Sequence, residues 1–248
     1  MNTFTRNALL WSLVGTLVAL GEPGKQRNWR WTFEEADGLK IHEASGQVKP
    51  GAILHESRGV QRVRGRSGMA LEFAGGDRRQ RSQAGCVLLN GLEQVDWSQG
   101  LTVEAWVFFT KLERPATYEI VSATKGDRGP GWRLMISWES LWLRTGEGGA
   151  GTTWGAGSNP SATRFKPGQW YHLAGTYDSS VFRVYVDGVL AGQSEAKLTL
   201  PPGAPIVYVG SYQGGFAYGL NGIVDDVRLC NRARSPVEMI ARAKLGRE

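Results

Sequence analysis

The stretch Gly168–Gly192, GQWYHLAGTYDSSVFRVYVDGVLAG, decides the fold class of this chain. Val, Tyr, Phe, Trp and Thr dominate it, and these residues favour the pleated, half-buried surface of a sheet. Asp187-Gly188 is a strong hairpin signal, because both central residues of a type I′ turn need φ > 0. A lone hairpin is marginal in water, so the stretch belongs to a larger antiparallel sheet. The predicted strands are Trp170–Tyr177, Val181–Val186 and Val189–Ala191.

The same pattern of short apolar runs between Gly and Pro turns continues on both sides of this meander. Strands at this spacing predict an all-β sandwich or barrel. One helix is predicted after Ser235, where Ser235, Pro236 and Glu238 form a capping box with proline at the first helical position. Long loops are predicted at Glu34–Gly51 and Trp154–Pro167. Further strands are predicted at Trp29–Phe33, Met69–Phe73, Cys86–Leu89, Leu101–Thr110, Tyr118–Ala123, Trp132–Ser137, Ser140–Leu143, Ile206–Gly210 and Gly222–Leu229.

Residues 1–21 differ from the rest of the chain. Arg6 precedes an almost wholly apolar run, Ala8–Leu20, and small residues follow at Ala19-Leu20-Gly21. This order predicts a signal peptide cleaved near Gly21, with residues 22–248 as one domain that is secreted, periplasmic or extracellular. The run is short for a membrane span, so no integral span is expected after cleavage, and an uncleaved anchor is the less favoured alternative.

Two cysteines, Cys86 and Cys230, leave two interpretations open. An exported protein meets oxidising conditions, so the two cysteines could form a disulfide. The alternative is a pair of small buried thiols, because sequence alone does not show that the two residues are close. The chain has too few cysteines and histidines for a zinc site.

The formal net charge of +6 is concentrated in a few places. Arg62, Arg64 and Arg66 recur at every second position, so an extended backbone would turn them to one face. That face would suit anionic partners such as acidic or sulfated glycans. The commoner explanation is a solvated edge that discourages aggregation. Nucleic acid is not expected as a partner, because the chain has no known nucleic-acid module.

Several blocks resemble, in family order, segments of LamG-like (laminin G, concanavalin A-like lectin/glucanase) domains. Together they span roughly residues 29–245. The resemblance implies a two-sheet antiparallel jelly-roll sandwich with a short C-terminal helix, but function depends on the site that such a fold carries. The blocks are GRSGMALEF (Gly65–Phe73), LTVEAWV (Leu101–Val107), WYHLAGTYD (Trp170–Asp178), VYVDG (Val184–Gly188), LNGIVDDVRL (Leu220–Leu229) and NRARSP (Asn231–Pro236).

No catalytic residues are predicted. Glycosidases need two carboxylates at a fixed separation, and relatives carry them as E-x-D-x-x-E. Glu35-Ala36-Asp37 begins this pattern, but Lys40 stands where the second glutamate is needed. Asp225 and Asp226 are adjacent, so a regular strand would turn them to opposite faces. His172 has no visible nucleophile partner and is expected to be structural. An enzyme is therefore not expected, although a hydrolase or lyase with a non-standard site stays an alternative.

The resemblance also implies a structural calcium ion at the sandwich edge, where the N-terminal loop meets the last strand. Ca²⁺ binds carboxylate and carbonyl oxygens. Glu34, Glu43 and Asp225 occupy the matching acidic positions. The alternative is that these carboxylates cap turns or pair with nearby arginines.

Sugar binding would use exposed aromatic rings with neighbouring polar groups. Trp138 and Trp142 flank a predicted turn, although burial in the core is the commoner fate of any one Trp. The sequence therefore predicts an exported, non-catalytic module that recognises extracellular carbohydrate or glycoprotein, with a structural adhesion protein as a further alternative. An anionic ligand would add Arg62, Arg64 and Arg66 as anchors. The predicted ligand-binding residues in Gly-rich segments are Trp154, Tyr212, Phe216, Tyr218 and Asn221.

Overall fold

A computed structural model describes residues 26–75, 84–112, 117–124, 130–145, 155–158, 163–198 and 206–245. These residues form two antiparallel sheets around one apolar core, with one helix near the C-terminus. The predicted two-sheet sandwich with a C-terminal helix is confirmed. The predicted signal peptide, residues 1–21, lies outside the described part of the chain. Within that part, no helix is long and apolar enough to cross a membrane.

Across the described ranges, sixteen strands build the two sheets. In chain order they are β1 (Asn28–Trp31), β2 (Lys40–Ile41), β3 (Gly51–Leu54), β4 (Val60–Arg64), β5 (Met69–Ala74), β6 (Cys86–Leu89), β7 (Leu101–Phe109), β8 (Thr117–Thr124), β9 (Gly131–Ser137), β10 (Ser140–Thr145), β11 (Gly155–Gly157), β12 (Trp170–Tyr177), β13 (Val181–Val186), β14 (Val189–Glu195), β15 (Val207–Val209) and β16 (Asn221–Cys230). The helix α1 spans Pro236–Lys244.

The first sheet contains the meander and is called here the meander sheet. Its order is β14-β13-β12-β7-β16-β5-β4, and β1 also pairs with β16. The second sheet has the order β11-β10-β9-β8-β15-β6-β3-β2. The predicted hairpin turn is present, since Asp187 and Gly188 have φ of 51° and 79°. The short strands β2, β3 and β11 lie in or beside segments predicted as loops, because two to four residues give little alternation to detect.

The core lies between the sheets and takes alternate residues from each strand. In β7, Val103, Ala105 and Val107 are buried in it. Three tryptophans meet at its centre, where the Trp97 ring centroid lies 5.7 Å from that of Trp29 and 5.8 Å from that of Trp132. Aromatic pairs at this spacing add to the stabilisation from burial alone.

The two cysteines are free, buried thiols on opposite sheets. The disulfide alternative is therefore wrong. Burial raises the pKa of the Cys86 thiol to about 12. Because the thiolate is the nucleophile, this side chain is inert near neutral pH.

Helix α1 covers part of the outer face of the meander sheet. It begins with the predicted capping box between Ser235 and Glu238. Met239 packs against Ala174 and Tyr185 of the sheet. The helix therefore adds a third layer to the sandwich on this side.

A buried charge network lies beneath the helix. Glu104 of β7 is 1% exposed, and its Oε2 is 3.0 Å from Nε2 of His172. Its Oε1 is 3.1 Å from Nε of Arg242 and 3.8 Å from Nε of Arg234. Arg234, which precedes α1, and Arg242, which lies within it, thus both contact Glu104 in the middle of the meander sheet.

Candidate functional site

The outer face of the second sheet carries a row of cationic and aromatic side chains. We call this row the arginine–aromatic platform. It crosses β10, β9 and β8 and continues onto the loop between β15 and β16. Its members are Trp142, Arg144, Arg133, Glu119, Tyr212 and Tyr218.

Strand register places the two arginines side by side. Arg133 of β9 is the direct cross-strand partner of Arg144 of β10. Their neighbours Leu134 and Leu143 are a matching pair that is buried in the core. Since side chains alternate between the faces of a strand, both arginines lie on the outer face.

Glu119 reaches the same face because β8 contains a bulge. The register shifts between Glu119 and Val121, and Ile120 and Val121 are both buried in the core. A bulge inserts one extra residue and so inverts the alternation along the strand. Glu119 therefore lies on the outer face, although it is two residues from Val121.

Glu119 and Arg133 form an ion pair that is shielded from water. Glu119 is 0% exposed, and Nε of Arg133 lies 2.9 Å from its Oε1, with a second contact from Nη2. Burial raises the pKa of the Glu119 carboxyl, and the attraction of Arg133 only partly offsets this effect. Burial acts to lower the pKa of Arg133, but the Glu119 carboxylate raises it overall. The pair is a desolvated cation and anion held by good geometry.

Aromatic rings flank these charges on both sides. The Arg133 guanidinium lies 4.4 Å from the Tyr212 ring centroid and 5.6 Å from that of Tyr218. On the other side, the Arg144 guanidinium lies 5.6 Å from the Trp142 ring centroid. All three distances are in the range of cation–π attraction. The platform thus has two arginines at its centre, with Trp142 on one side and the two tyrosines on the other.

The loop that carries the tyrosines is held against β8. The N–H of Glu119 donates to the carbonyl of Tyr218 at 2.9 Å, and Tyr212 forms an isolated bridge with Ala217. Gly214 and Gly215 have φ of 71° and 99°, which L side chains rarely adopt. The turn that they form leaves the Phe216 side chain 41% exposed beside the platform.

The hairpin between β9 and β10 is strained at its tip. Trp138 and Glu139 have φ of 50° and 68°, a conformation that usually selects glycine or asparagine. Each such residue costs on the order of 1 kcal/mol, and the Trp138 side chain is 72% exposed. Positive φ at both central residues is the geometry of a two-residue type I′ hairpin turn, which is tight enough to leave the Trp138 ring at its tip in solvent.

The structure brings together only part of the predicted sugar site. Tyr212 and Tyr218 lie in the platform, with ring centroids 6.0 Å apart, and Phe216 lies on the same loop. The prediction that Tyr212 presents an exposed ring is wrong, because Tyr212 is 1% exposed. Asn221 begins β16 on the meander sheet, where it pairs with Ala74. Trp154 lies outside the described residues. Arg133, Arg144 and Glu119 were not predicted, although arginines at alternate positions of apolar strands are a signal for an outward-facing charged row.

The predicted arginine face does not form. The strand β4 ends at Arg64, so Arg66 lies in the following turn, where its guanidinium is 3.8 Å from the Trp106 ring centroid. Arg62 donates to the Phe33 and Gly38 carbonyls and to Glu35, so it anchors the N-terminal loop. All three arginines lie at the edge of the meander sheet, on the other side of the sandwich from the platform.

A pocket of about 360 Å³ lies on the outer face of the meander sheet. The prediction that Asp225 and Asp226 point to opposite faces is wrong, because both line this pocket. A β-bulge between Asp225 and Arg228 breaks the alternation, and Asp226 has φ of 49°. The lining residues are Arg30, Thr32, Glu34, Arg66, Ser67, Trp106, Asp225, Asp226, Arg228 and Leu245.

Two of the three predicted calcium ligands, Glu34 and Asp225, line this pocket. The Asp225 Oδ2 accepts from the N–H groups of Arg66 and Ser67, and Glu34 Oε2 accepts from that of Met69. Both carboxylates therefore hold the turn between β4 and β5.

The third predicted ligand, Glu43, lies beside β1. Its oxygens accept from the N–H groups of Arg30, Ser45 and Gln47 and from the Ser45 hydroxyl. Among the described residues, no group of three or more Asp, Glu, His or Cys side chains is placed to hold a metal ion. Calcium binding stays a prediction, and these carboxylates accept from backbone N–H groups and a hydroxyl.

Asp225 and Asp226 are expected to give opposite responses of stability to pH. Burial raises the pKa of Asp225 to about 6 from its ordinary 3.8. The folded protein therefore binds more protons than the unfolded chain in this window, and Asp225 makes stability fall as pH rises through it. Burial also acts to raise the pKa of Asp226, but hydrogen bonds from Arg228 and Arg30 lower it overall. The stability that Asp226 contributes is present above its unfolded pKa and is lost as pH falls through its folded pKa.

The matched variants are Asp225→Asn and Asp226→Asn, compared by urea unfolding at several pH values between about 4 and 7. Asp226→Asn is expected to lose about 1–3 kcal/mol at neutral pH, because charge-assisted hydrogen bonds to two arginines are removed. Asp225→Asn is expected to flatten the decline of stability between about pH 4 and 6. A parent-like slope in Asp225→Asn would show that the Asp225 carboxyl is not desolvated.

Comparisons with solved structures find the same sandwich in proteins that act on carbohydrates. A Trypanosoma rangeli sialidase in complex with 2,3-difluorosialic acid aligns over 87% of this chain and 32% of its own, with a TM-score of 0.62 and 18% identity. Domain 4 of AbnA, a GH43 extracellular arabinanase from Geobacillus stearothermophilus in complex with arabinotriose, aligns over 87% of this chain and 97% of its own, with a TM-score of 0.61 and 20% identity. This chain thus spans about a third of the sialidase but nearly all of the arabinanase domain.

At this level of identity the structural likeness shows the fold alone. A search of curated proteins finds no match. A family model described as the concanavalin A-like lectin/glucanases superfamily matches residues 81–239, which is well over half of the sequence. The chain belongs to the concanavalin A-like lectin/glucanase superfamily.

Proposed function

We propose that this chain is a non-catalytic module that binds extracellular carbohydrate or glycoprotein through the arginine–aromatic platform. The observation that carries the proposal is the alternation of aromatic rings and guanidinium groups across one outer sheet face. Trp142 and Arg144 form one side of it, and Arg133 lies with the half-buried Tyr218 on the other. Tyr212 is 1% exposed, so it packs against Arg133 and offers no face to a sugar. Flat apolar rings stack on sugar faces, while charged donors bind hydroxyl and acidic groups.

The structural neighbours support the carbohydrate part of this proposal. The arabinanase domain is close to this chain in length and fold, and its structure is a complex with arabinotriose. The sialidase shares the sandwich, although this chain matches only a third of it. A fold hosts many functions, so the neighbours alone do not assign one. They raise the expectation of a sugar ligand, and the proposed binding site is the platform.

The platform is suited to binding rather than to hydrolysis. A glycosidase places an acid and a second carboxylate on either side of the scissile bond. Glu119 is fully buried and bound to Arg133, so its carboxylate stabilises the arginine instead of facing a substrate. Its contacts with Nε and Nη2 of Arg133 hold that guanidinium in position.

A hydrolase or lyase is the second candidate function, and the pocket on the meander sheet favours it. There the pKa of Asp225 is raised to about 6 while that of Asp226 is lowered, a divergence typical of acid and base pairs. However, Asp225 is 2% exposed and accepts two backbone N–H groups, so it holds a turn. Steady release of reducing sugar that is abolished in Asp225→Asn would favour this candidate over the binding module.

Removing a platform ring is expected to weaken sugar binding without unfolding the protein. Trp142→Ala and Tyr218→Ala should each lose about 1 kcal/mol of binding free energy, or about fivefold in Kd, the scale of one ring contact. Phe216→Ala and Trp154→Ala, the sequence-based candidates, are expected to show losses of the same kind. The measurement is titration calorimetry with the strongest ligand from a glycan array.

The matched control is Trp170→Ala. Trp170 is a half-buried tryptophan of the meander sheet, where it packs on Phe108 at 5.5 Å between ring centroids. This variant should bind as the parent does. Equal losses in Trp170→Ala and Trp142→Ala would contradict the assignment of the platform as the binding face.

A further inference from the structure

We infer that two copies of this chain form a two-fold symmetric dimer through the exposed side of α1 and the adjoining outer face of β14. We call this surface the helix patch. The inference is independent of the proposed function, because the platform lies on the other sheet. The apolar members of the helix patch, all exposed, are Leu190, Pro236, Val237, Ile240 and Ala241.

The first step is that α1 is apolar on two faces. Met239 and Ala243 are buried against the meander sheet. Val237, Ile240 and Ala241 lie three or four positions apart, so they share the opposite side of the helix, where all three are exposed. A surface helix ordinarily turns polar side chains toward water. Here the Val237 side chain is 75% exposed, which leaves an apolar stripe open on the outside of α1.

The second step is that this stripe continues onto the sheet. A side chain at Gly188 would meet the backbone of Ile240, so the turn before β14 lies directly against α1. Leu190 is the cross-strand partner of Tyr185, which packs with Met239 beneath the helix. Cross-strand partners share a face, so Leu190 extends the stripe along the outer face of β14, the last strand in the sheet order.

The third step is the relative direction of α1 and β14. The turn at Gly188, which precedes β14, would also meet Ala243 near the end of α1. Gln193, further along β14, lies through β13 and β12 in the same row as Thr102, which accepts the N–H of Arg234 just before α1. The strand and the helix therefore run side by side in opposite directions.

This arrangement gives the helix patch opposite charges at its two ends. Glu195 ends β14 beside the start of α1, and Lys244 ends α1 beside the start of β14. Both side chains are exposed. A two-fold interface joins the same surface of both copies, and its axis exchanges the two ends of the patch. Each Glu195 then faces Lys244 of the other copy around a shared apolar centre.

The charges favour a second copy over an anionic membrane as the occupant. Glu195 would be repelled by anionic lipid headgroups, whereas it meets a cation in the two-fold arrangement. The dimer also leaves both platforms open, since each lies on the sheet that faces away from the helix patch.

The test is sedimentation velocity of the purified protein over a concentration series, in which the parent is expected to pass from monomer to dimer. Ile240→Glu is expected to raise the dimer Kd about tenfold or more, because it places an unpaired charge in the apolar part of the interface. The matched control is Ile206→Glu. Ile206 precedes β15 on the second sheet and is 43% exposed, against 44% for Ile240, so this variant should dimerise as the parent does.

Charge reversal tests the two-fold geometry itself. Glu195→Lys and Lys244→Glu are each expected to weaken the dimer several-fold at low salt, because each places like charges opposite one another at both ends of the interface. An equimolar mixture of the two variants should form a heterodimer about as stable as the parent dimer, since both contacts then join opposite charges. Thermal melting should show that all of these exposed substitutions leave the fold intact.

A parent that stays monomeric throughout the series would overturn the inference. A dimer that is unchanged in Ile240→Glu, or a mixture no tighter than the two charge variants alone, would also contradict it. Binding of a monomeric parent to phosphatidylserine vesicles that is lost in Ile240→Glu would assign the helix patch to a lipid surface instead. Each of these results leaves sugar binding at the platform as it stands.

Discussion

Replacing Glu104 with alanine is expected to lower the free energy of unfolding by about 3–5 kcal/mol. Glu104 is 1% exposed, and it neutralises Arg242 and lies close to Arg234 while contacting His172. Removing Glu104 takes from Arg242 its buried counter-charge, while Arg234 keeps its ion pair with Glu238 at 3.3 Å. The penalty of the unpaired buried charge exceeds the loss of the contacts themselves. The same change frees the segment that carries α1, so the helix should detach before the sandwich unfolds.

The measurement is urea unfolding together with limited proteolysis of the C-terminal segment. Glu104→Gln keeps the volume of the side chain and isolates the loss of charge, so it should also be destabilised and should also expose α1 to the protease. Glu195→Ala, which changes an exposed glutamate of β14, should stay within about 0.5 kcal/mol of the parent. A loss below about 1 kcal/mol in Glu104→Ala would show that the network does not hold the helix.

Arg133→Met is expected to have a second effect of similar size, about 3–5 kcal/mol, because it leaves Glu119 buried without its cation. The double variant Glu119→Met with Arg133→Met should recover most of this loss, since apolar side chains of similar volume often replace a buried ion pair without cost. The stability recovered in the double variant measures the penalty of the unpaired Glu119 charge. The loss that remains measures the packing of Arg133 against Tyr212.

Denaturant unfolding of the parent, both single variants and the double variant completes a thermodynamic cycle for this pair. The double variant should also lose sugar binding although it is stable, because the cation is absent from the platform. A double variant as unstable as the sum of the two single changes would contradict the view that Glu119 and Arg133 act as one buried pair.

The sequence was most informative where local chemistry decides the structure. In β7, alternate residues from Val103 to Val107 are buried, and the alternation predicted that strand almost to its ends. The turn at Asp187-Gly188 and the capping box at Ser235 depend on residues within a few positions of each other. These features could therefore be predicted without knowing the tertiary fold.

The site depended on register, which the sequence did not reveal. Arg133 and Arg144 become neighbours only when β9 and β10 pair around the turn at Trp138 and Glu139. Glu119 reaches their face only through the bulge in β8. A one-residue change of register moves every side chain of a strand to the other face, so alternation alone does not place a charged row.

The same reason explains the errors about Asp225 and the arginine cluster. A bulge in β16 turns Asp225 and Asp226 toward one pocket. The end of β4 at Arg64 removes Arg66 from the alternating row. Both features are local departures from regular strands that apolar patterning does not signal.

The most direct test of the proposed function is a titration of the isotope-labelled domain with its strongest ligand from the glycan array, followed by amide chemical shifts. The account predicts that the shifts concentrate on β8, β9 and β10 and on the loop that carries Tyr212 and Tyr218, with no release of reducing sugar. Shifts centred instead on Arg30, Glu34 and Asp225 would assign binding to the meander-sheet pocket and contradict the platform as the site.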